Sequence, residues 1–235
     1  MDVQFVKLQP YPWVTTNAFF LSDDRSVIIK VHQPKRRTFR LRQYRALRLL
    51  GYPSPYEFRS EKARCQHERN IYAHWHAKGY SVPRLVHDFP LPPSVPSDRC
   101  IVLEFIKGKD LWMLLGDKDV AVTQRLACVA SLFEECHERH ARVFAERDRG
   151  LIKYDANLRN IVVREGELFY IDFEAGRIAE SLTRGAMREI SRYAKGAVER
   201  MGSQFSSTIV DLLHDRYRHR EVLRRIANQS QSQHL

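Results

Sequence analysis

The chemically loaded residues of this 235-residue chain are a lysine set among apolar neighbours, a glutamate in a helical stretch, and an aspartate, an asparagine and a second aspartate in close order. Lys30 stands inside VIIKV, a run whose composition marks a strand. Glu68 falls within residues 57–78, which read as a helix closed by Gly79. Asp155 and Asn160 bracket the loop DANLRN, and Asp172 follows a short apolar run. Transfer of a phosphoryl group from a nucleotide needs this set: a cation on the phosphates that stay behind, a carboxylate to hold that cation, a base at the acceptor hydroxyl, and oxygen ligands for Mg²⁺. Singly, each has a plainer reading. A strand lysine commonly faces solvent, a D-x-x-x-x-N spacing is frequent, and an aspartate after a strand often caps a turn. The order of the whole set carries the chemistry.

Elements that could position these groups are legible on both sides of them. Residues 18–21 and 26–31 read as a hairpin around Ser22, Asp23 and Asp24. Residues 81–88 read as a turn into another strand, 90–96 as a proline-rich loop, and 100–106 (CIVLEFI) as a buried strand stopped by Gly108. Apolar residues from Leu126 to Phe144 lie on one stripe of a helix over 123–144. Two strands, 161–164 and 168–171, flank the turn Glu165, Gly166, Glu167, and two basic helices, 183–201 and 206–227, close the chain. Cys136 and His140 share a helix face, but no further ligands stand at a recognisable spacing, so they read as core residues rather than a metal site.

Composition excludes several classes. With 43% hydrophobic and 11% aromatic residues, the chain is a folded globule rather than a disordered one. No apolar run approaches the roughly 20 residues of a membrane-spanning helix, and the four cysteines form no CxxC pair, so reduced thiols and a cytoplasmic setting are expected. The formal charge of +11 implies an anionic partner. From Lys30 to Arg48 there are basic residues (Lys35, Arg36, Arg37, Arg40, Arg42, Arg45) and no acidic one, a patch suited to an anionic membrane surface or a phosphate-rich ligand.

Taken in order, these residues resemble the protein-kinase-like superfamily over roughly residues 18–180. Val27 to Lys30 (VIIK) is similar to its strand-lysine motif, Asp155 to Asn160 to its catalytic loop, and Ile171-Asp172-Phe173 to its metal-binding Asp-Phe pair. More narrowly, D-x-N-x-x-N (Asp155, Asn157, Asn160) and Asp172-Phe173-Glu174-Ala175-Gly176-Arg177 resemble bacterial kinases of the lipopolysaccharide inner core, which phosphorylate Kdo or heptose. The resemblance implies an α+β, two-lobed kinase-like fold, with an N-lobe over 1–103, a hinge and reduced helical C-lobe over 104–228, and a polar tail over 229–235.

It also implies ATP and Mg²⁺ as cofactors and a division of roles. Asp155 would act on the acceptor hydroxyl, assisted by Lys153 and Asn157, with Asn160 and Asp172 on the metal. Lys30 would grip the phosphates, paired with Glu68 or with Glu61 two turns earlier, and the backbone of Glu104 and Ile106 would bind adenine. The acceptor would be an anionic sugar or glycolipid at the cytoplasmic face of the inner membrane, the patch over 35–48 docking the leaflet.

Departures from the pattern are specific. No glycine occurs in the turn between Leu8 and Ala18, where a phosphate-covering loop would stand; Lys153 replaces the usual histidine two before Asp155; Glu174 replaces the glycine of Asp-Phe-Gly. The chain ends soon after Asp172, which suits a reduced lobe and a small or lipid-linked acceptor. Two rivals follow: a Bud32- or RIO-like atypical kinase or ATPase whose patch binds RNA or a protein complex, and a degenerate kinase fold serving as a binding module.

Overall fold

The structure, a computed structural model, describes residues 4–8, 17–33, 60–174 and 181–232. The basic patch over 35–48, the glycine-free turn and residues 175–180 lie outside them. The chain divides into two compact units, Met1–Lys107 with Asp172–Ala179, and Gly108–Ile171 with Glu180–Leu235. The first division thus falls after Lys107 rather than after residue 103, and the segment opening with Asp172 returns to the first unit.

That unit is built on an antiparallel sheet in the order β1 (Phe5–Leu8), β2 (Asn17–Ser22), β3 (Val27–His32), β4 (Cys100–Glu104). Alternation along β3 separates two jobs. Ile29 and Val31 join Ala18, Val95 and Cys100 in an apolar cluster, while Lys30 and His32, also buried, turn the other way. Helix α1 (Glu61–Ala77) starts where the Ser60 hydroxyl accepts the Ala63 N–H, and it stops at Gly79, whose φ of +83° suits glycine. Its buried face is Arg64, Cys65, Glu68, Tyr72 and Trp75. Two of these are charged, so the helix lacks a clean apolar stripe. The strand expected within 81–88 reduces to a single bridge between Leu85 and Leu103, flanked by Val86 N–H to Val102 and Glu104 N–H to Arg84.

The second unit joins a three-stranded antiparallel sheet, β5 (Lys109–Asp110), β6 (Ile161–Arg164) and β7 (Glu167–Tyr170), to five helices among the described residues. The β6–β7 turn needs only Glu165 and Gly166, both at positive φ, the geometry that matches the twist of a tight hairpin. Glu167 is therefore already in the strand. Helix α2 (Leu111–Gly116) is capped by Asp110, whose carboxylate accepts the Met113 N–H. The long α3 (Val122–Glu146) buries Val129, Leu132, Phe133, Cys136 and Val143 along its stripe, together with Arg139 and His140. Helix α4 (Leu182–Met201), capped by Ser181, follows the expected span closely. The single helix expected over 206–227 is instead α5 (Ser206–Arg216) and α6 (Arg220–Ser232), broken where the buried Tyr217 leaves helical backbone to bond His140. Backbone helix continues to Ser232, into the expected polar tail. No described helix is long and apolar enough to cross a membrane, and all four cysteines are free thiols.

Candidate functional site

Lys30 is the centre of the first unit's chemistry. Its register, between Phe19 on β2 and Ile101 on β4, directs the ammonium onto the charged face of α1, where it is 4% exposed. Nζ lies 2.9 Å from Glu68 Oε2, 2.7 Å from Asp172 Oδ1 and 3.2 Å from Glu174 Oε1. Burial by itself would drive the ammonium's pKa down; the carboxylates of Asp172, Glu68 and Glu174 outweigh it and hold the lysine charged. Glu68, not Glu61, is thus the partner. Its own 0% exposure is compensated by Lys30, by His32 Nε2 at 2.9 Å and by the Phe173 N–H at 2.9 Å.

Glu174 completes the cage. Burial pushes its pKa up, but Lys30 and then Arg64, against the like charge of Asp172, hold it below the ordinary value. Arg64 Nη1 reaches Glu174 at 2.7 Å and Asn17 donates to the same carboxylate. Phe173 wedges its ring against Tyr72 (centroids 5.0 Å) and Trp75 (4.8 Å), so the chain either side of it is held. Asp172 sits in the left-handed region at φ 60°, rare for a residue with a Cβ; Tyr72 fixes it by accepting its N–H at 3.1 Å.

Three carboxylates around one ammonium, with Asp172 still 37% exposed at its side chain, form an oxygen-rich site of the kind Mg²⁺ prefers. In the second unit, Asn160 Nδ2 donates to the Asp155 carboxylate at 3.2 Å and to the Asp155 carbonyl at 3.3 Å.

The loop holding Asp155 is fixed from beneath. Glu189 on α4 is 1% exposed and accepts four hydrogen bonds: two from Arg139 (2.6 and 3.2 Å), one from His140 Nε2 (3.0 Å) and one from the Lys153 N–H (2.9 Å). Arg139 also donates to the Leu151 carbonyl. Burial would raise the Glu189 pKa, but Arg139 and His140 bring it down to about 2. Burial also lowers the pKa of His140, leaving it a neutral ring that bonds the Tyr217 hydroxyl at 2.8 Å. His140 is therefore core wiring, as its neighbour Cys136 is core packing. After the loop, Ile171 donates its N–H to the Asn160 carbonyl at 2.9 Å, and Asp172 is the next residue.

The remaining candidates divide. Lys153 is 1% exposed, and its main-chain N–H is tied into the Glu189 network. Asn157 is a local cap, its Oδ1 accepting the Arg159 N–H at 3.0 Å. Glu104 spends its N–H on the Arg84 carbonyl and its carboxylate on the Arg84 guanidinium at 3.0 Å, while Ile106 is buried beyond the end of β4. Sequence reasoning passed over His32, Arg64, Tyr72 and Glu189, and gave Glu174 no role. Three were within reach: His32 shares Lys30's strand face, and Arg64 and Tyr72 flank Glu68 at helical spacing.

No family model and no curated protein matches the sequence significantly. The fold is similar to that of the aminoglycoside phosphotransferase APH(3'')-Id of Streptomyces rimosus, with a TM-score of 0.54 and 12% identity over 92% of this chain and 87% of that one. Mixed α+β architecture, with a small antiparallel sheet in the first unit and a mostly helical second unit, is the kinase-like fold expected from the motifs.

Proposed function

We propose that this chain is an ATP- and Mg²⁺-dependent phosphotransferase acting on a hydroxyl of a lipopolysaccharide inner-core sugar, Kdo or heptose. The observation that carries the reading is the buried Lys30–Glu68 pair with Asp172 beside it. A buried ion pair is a weak source of stability, since desolvation offsets most of its attraction. Three carboxylates held on one lysine in a kinase-like fold instead suit a site that exchanges partners with a charged ligand. The narrower acceptor rests on the D-x-N-x-x-N loop and on Asp172 to Arg177.

In this reading Lys30 keeps Glu68 and trades its contact with Asp172 for the non-transferred phosphates. Asp172 would hold Mg²⁺, with Asn160 the second ligand that the motif implies, and the ion would supply charge neutralisation on the phosphates. Asp155, held by the Asn160 amide on one oxygen, orients the acceptor hydroxyl and takes its proton. Glu189 keeps the segment before Asp155 from drifting, which matters because about 1 Å of misplacement costs on the order of 100-fold in rate. The patch over 35–48 docks the anionic leaflet.

The test is transfer of the γ-phosphate from Mg-ATP to purified, deacylated core oligosaccharide, wild type against Asp155→Ala and Asp172→Ala. Transfer by wild type and its loss in both variants supports the reading. A wild type that binds no Mg-ATP and phosphorylates no hydroxyl overturns it in favour of a binding module.

A further inference from the structure

Helix α4 does more than carry Glu189. Its glycines lie against the Asp155 loop: a Cβ on Gly185 would meet Ile152 at 2.9 Å with Tyr154 beyond, and one on Gly196 would meet Leu158 at 3.1 Å. Along this contact run Arg184, Arg188 and Arg192, spaced four apart and so stacked in one row. Arg184 and Arg192 are exposed. Arg192 Nη1 reaches the carbonyl of Tyr154, the residue before Asp155, at 3.3 Å. Neither Arg184 nor Arg192 has an ion-pair partner among the described residues. Farther along the helix Lys195 is paired with Glu199 at 3.8 Å, so the open charge is concentrated at the loop end of the row.

Exposed guanidinium groups on a helix are ordinarily answered by carboxylates three or four residues away, as in Arg225 with Glu221 on α6. Here the positions four before and four after Arg188 are arginines. Like charges at that spacing repel and weaken the helix slightly, and the residue next to the candidate base is where the row is anchored. The fold neighbour is by name a phosphotransferase of aminoglycosides, amino sugars that are cations at neutral pH; the exposed pair Arg184 and Arg192 would repel such an acceptor.

We propose that Arg184 and Arg192 form an acceptor-side anion site, which binds a phosphate or carboxylate carried by the sugar whose hydroxyl meets Asp155. This rests on the phosphotransferase reading for the identity of the acceptor, and on the α4 row alone for its charge. Guanidinium forks match both oxyanions bidentately.

The experiment measures binding by calorimetry, with phosphorylated, deacylated inner-core oligosaccharide as probe, to wild type, Arg184→Gln/Arg192→Gln and Arg184→Lys/Arg192→Lys, each checked for an unchanged circular dichroism spectrum. Loss of two charge-assisted contacts raises the Kd of the glutamine variant at least about tenfold, and the lysine variant recovers most of it. Phosphatase treatment of the probe, and then reduction of its carboxyl groups, separates the two anion sources; the source is the one whose removal abolishes the difference between wild type and the glutamine variant. Equal affinity of all three proteins, or of the fully neutralised probe, overturns the assignment. So does arginine-dependent binding only to phosphatidylglycerol vesicles or only to mixed-sequence RNA. Arginine-dependent binding without transfer from Mg-ATP leaves the anion site standing and defeats the phosphotransferase reading. Transfer insensitive to both variants does the reverse.

Discussion

Removing the Glu189 carboxylate tests how the Asp155 loop is held. In Glu189→Ala, Arg139 keeps its guanidinium at 0% exposure with its counter-charge gone, and the Lys153 N–H loses its acceptor. An uncompensated buried charge costs about 3–5 kcal/mol. The carboxylate's own pKa gives an independent figure. A fall from 4.5 to about 2 corresponds to about 3 kcal/mol favouring the charged form in the folded protein. The folded value is depressed, so this contribution is complete above pH 4.5 and is lost as pH falls from there toward 2. Against a typical total of about 5–15 kcal/mol, the loss is severe but survivable.

The assay is urea unfolding of the full chain at pH 7.5, with amide hydrogen exchange over residues 151–155 as the local readout. Glu189→Ala should lose about 3 kcal/mol or more and lose protection at Lys153, with Glu189→Gln in between. Arg139→Met/Glu189→Leu, which removes both charges, should be less destabilised than Glu189→Ala alone. A cost under about 1 kcal/mol for Glu189→Ala, or a double variant at the sum of its singles, would refute a buried charge pair as the anchor of this loop.

Lys30→Met leaves Glu68, Asp172 and Glu174 without their shared cation and should lower kcat/KM for Mg-ATP by at least about 100-fold, measured by steady-state transfer. Tyr72→Phe deprives the Asp172 N–H of its acceptor at a left-handed residue, and about 1–3 kcal/mol of stability should go with a several-fold rise in the Mg²⁺ needed for half-maximal activity. Burial pushes the Glu135 carboxyl up to about 7, so the folded protein keeps a proton that the unfolded chain releases near 4.5. Stability therefore falls as pH rises from 4.5 to about 7 and is level above. Glu135→Gln should remove that slope, gaining up to about 3 kcal/mol at pH 8 and little at pH 4 in thermal melts.

Local pattern determined much of this protein. The VIIK strand, the DANLRN loop, the short strands around Gly166 and the long α3 stripe each follow from apolar periodicity and turn chemistry, which act between neighbours in the chain. The motif residues Lys30, Glu68, Asp155, Asn160 and Asp172 were legible because their types and order form a pattern that can be read along the chain without knowledge of packing. Tertiary structure alone decided the rest. Whether Glu61 or Glu68 met Lys30 depended on the rotation of α1, which Ser60 and the burial of Trp75 fix.

Lys153 and Asn157 read as assistants to Asp155; that one is buried and the other caps a turn was not legible, because local sequence carries no record of which side of a loop is covered. Glu189 lay in a basic helix with nothing in its neighbours to mark it. Its partners come from α3, from the loop before Asp155 and, through His140, from the break at Tyr217. Such a long-range polar network exists only once those elements have packed and excluded the water that would otherwise satisfy each group.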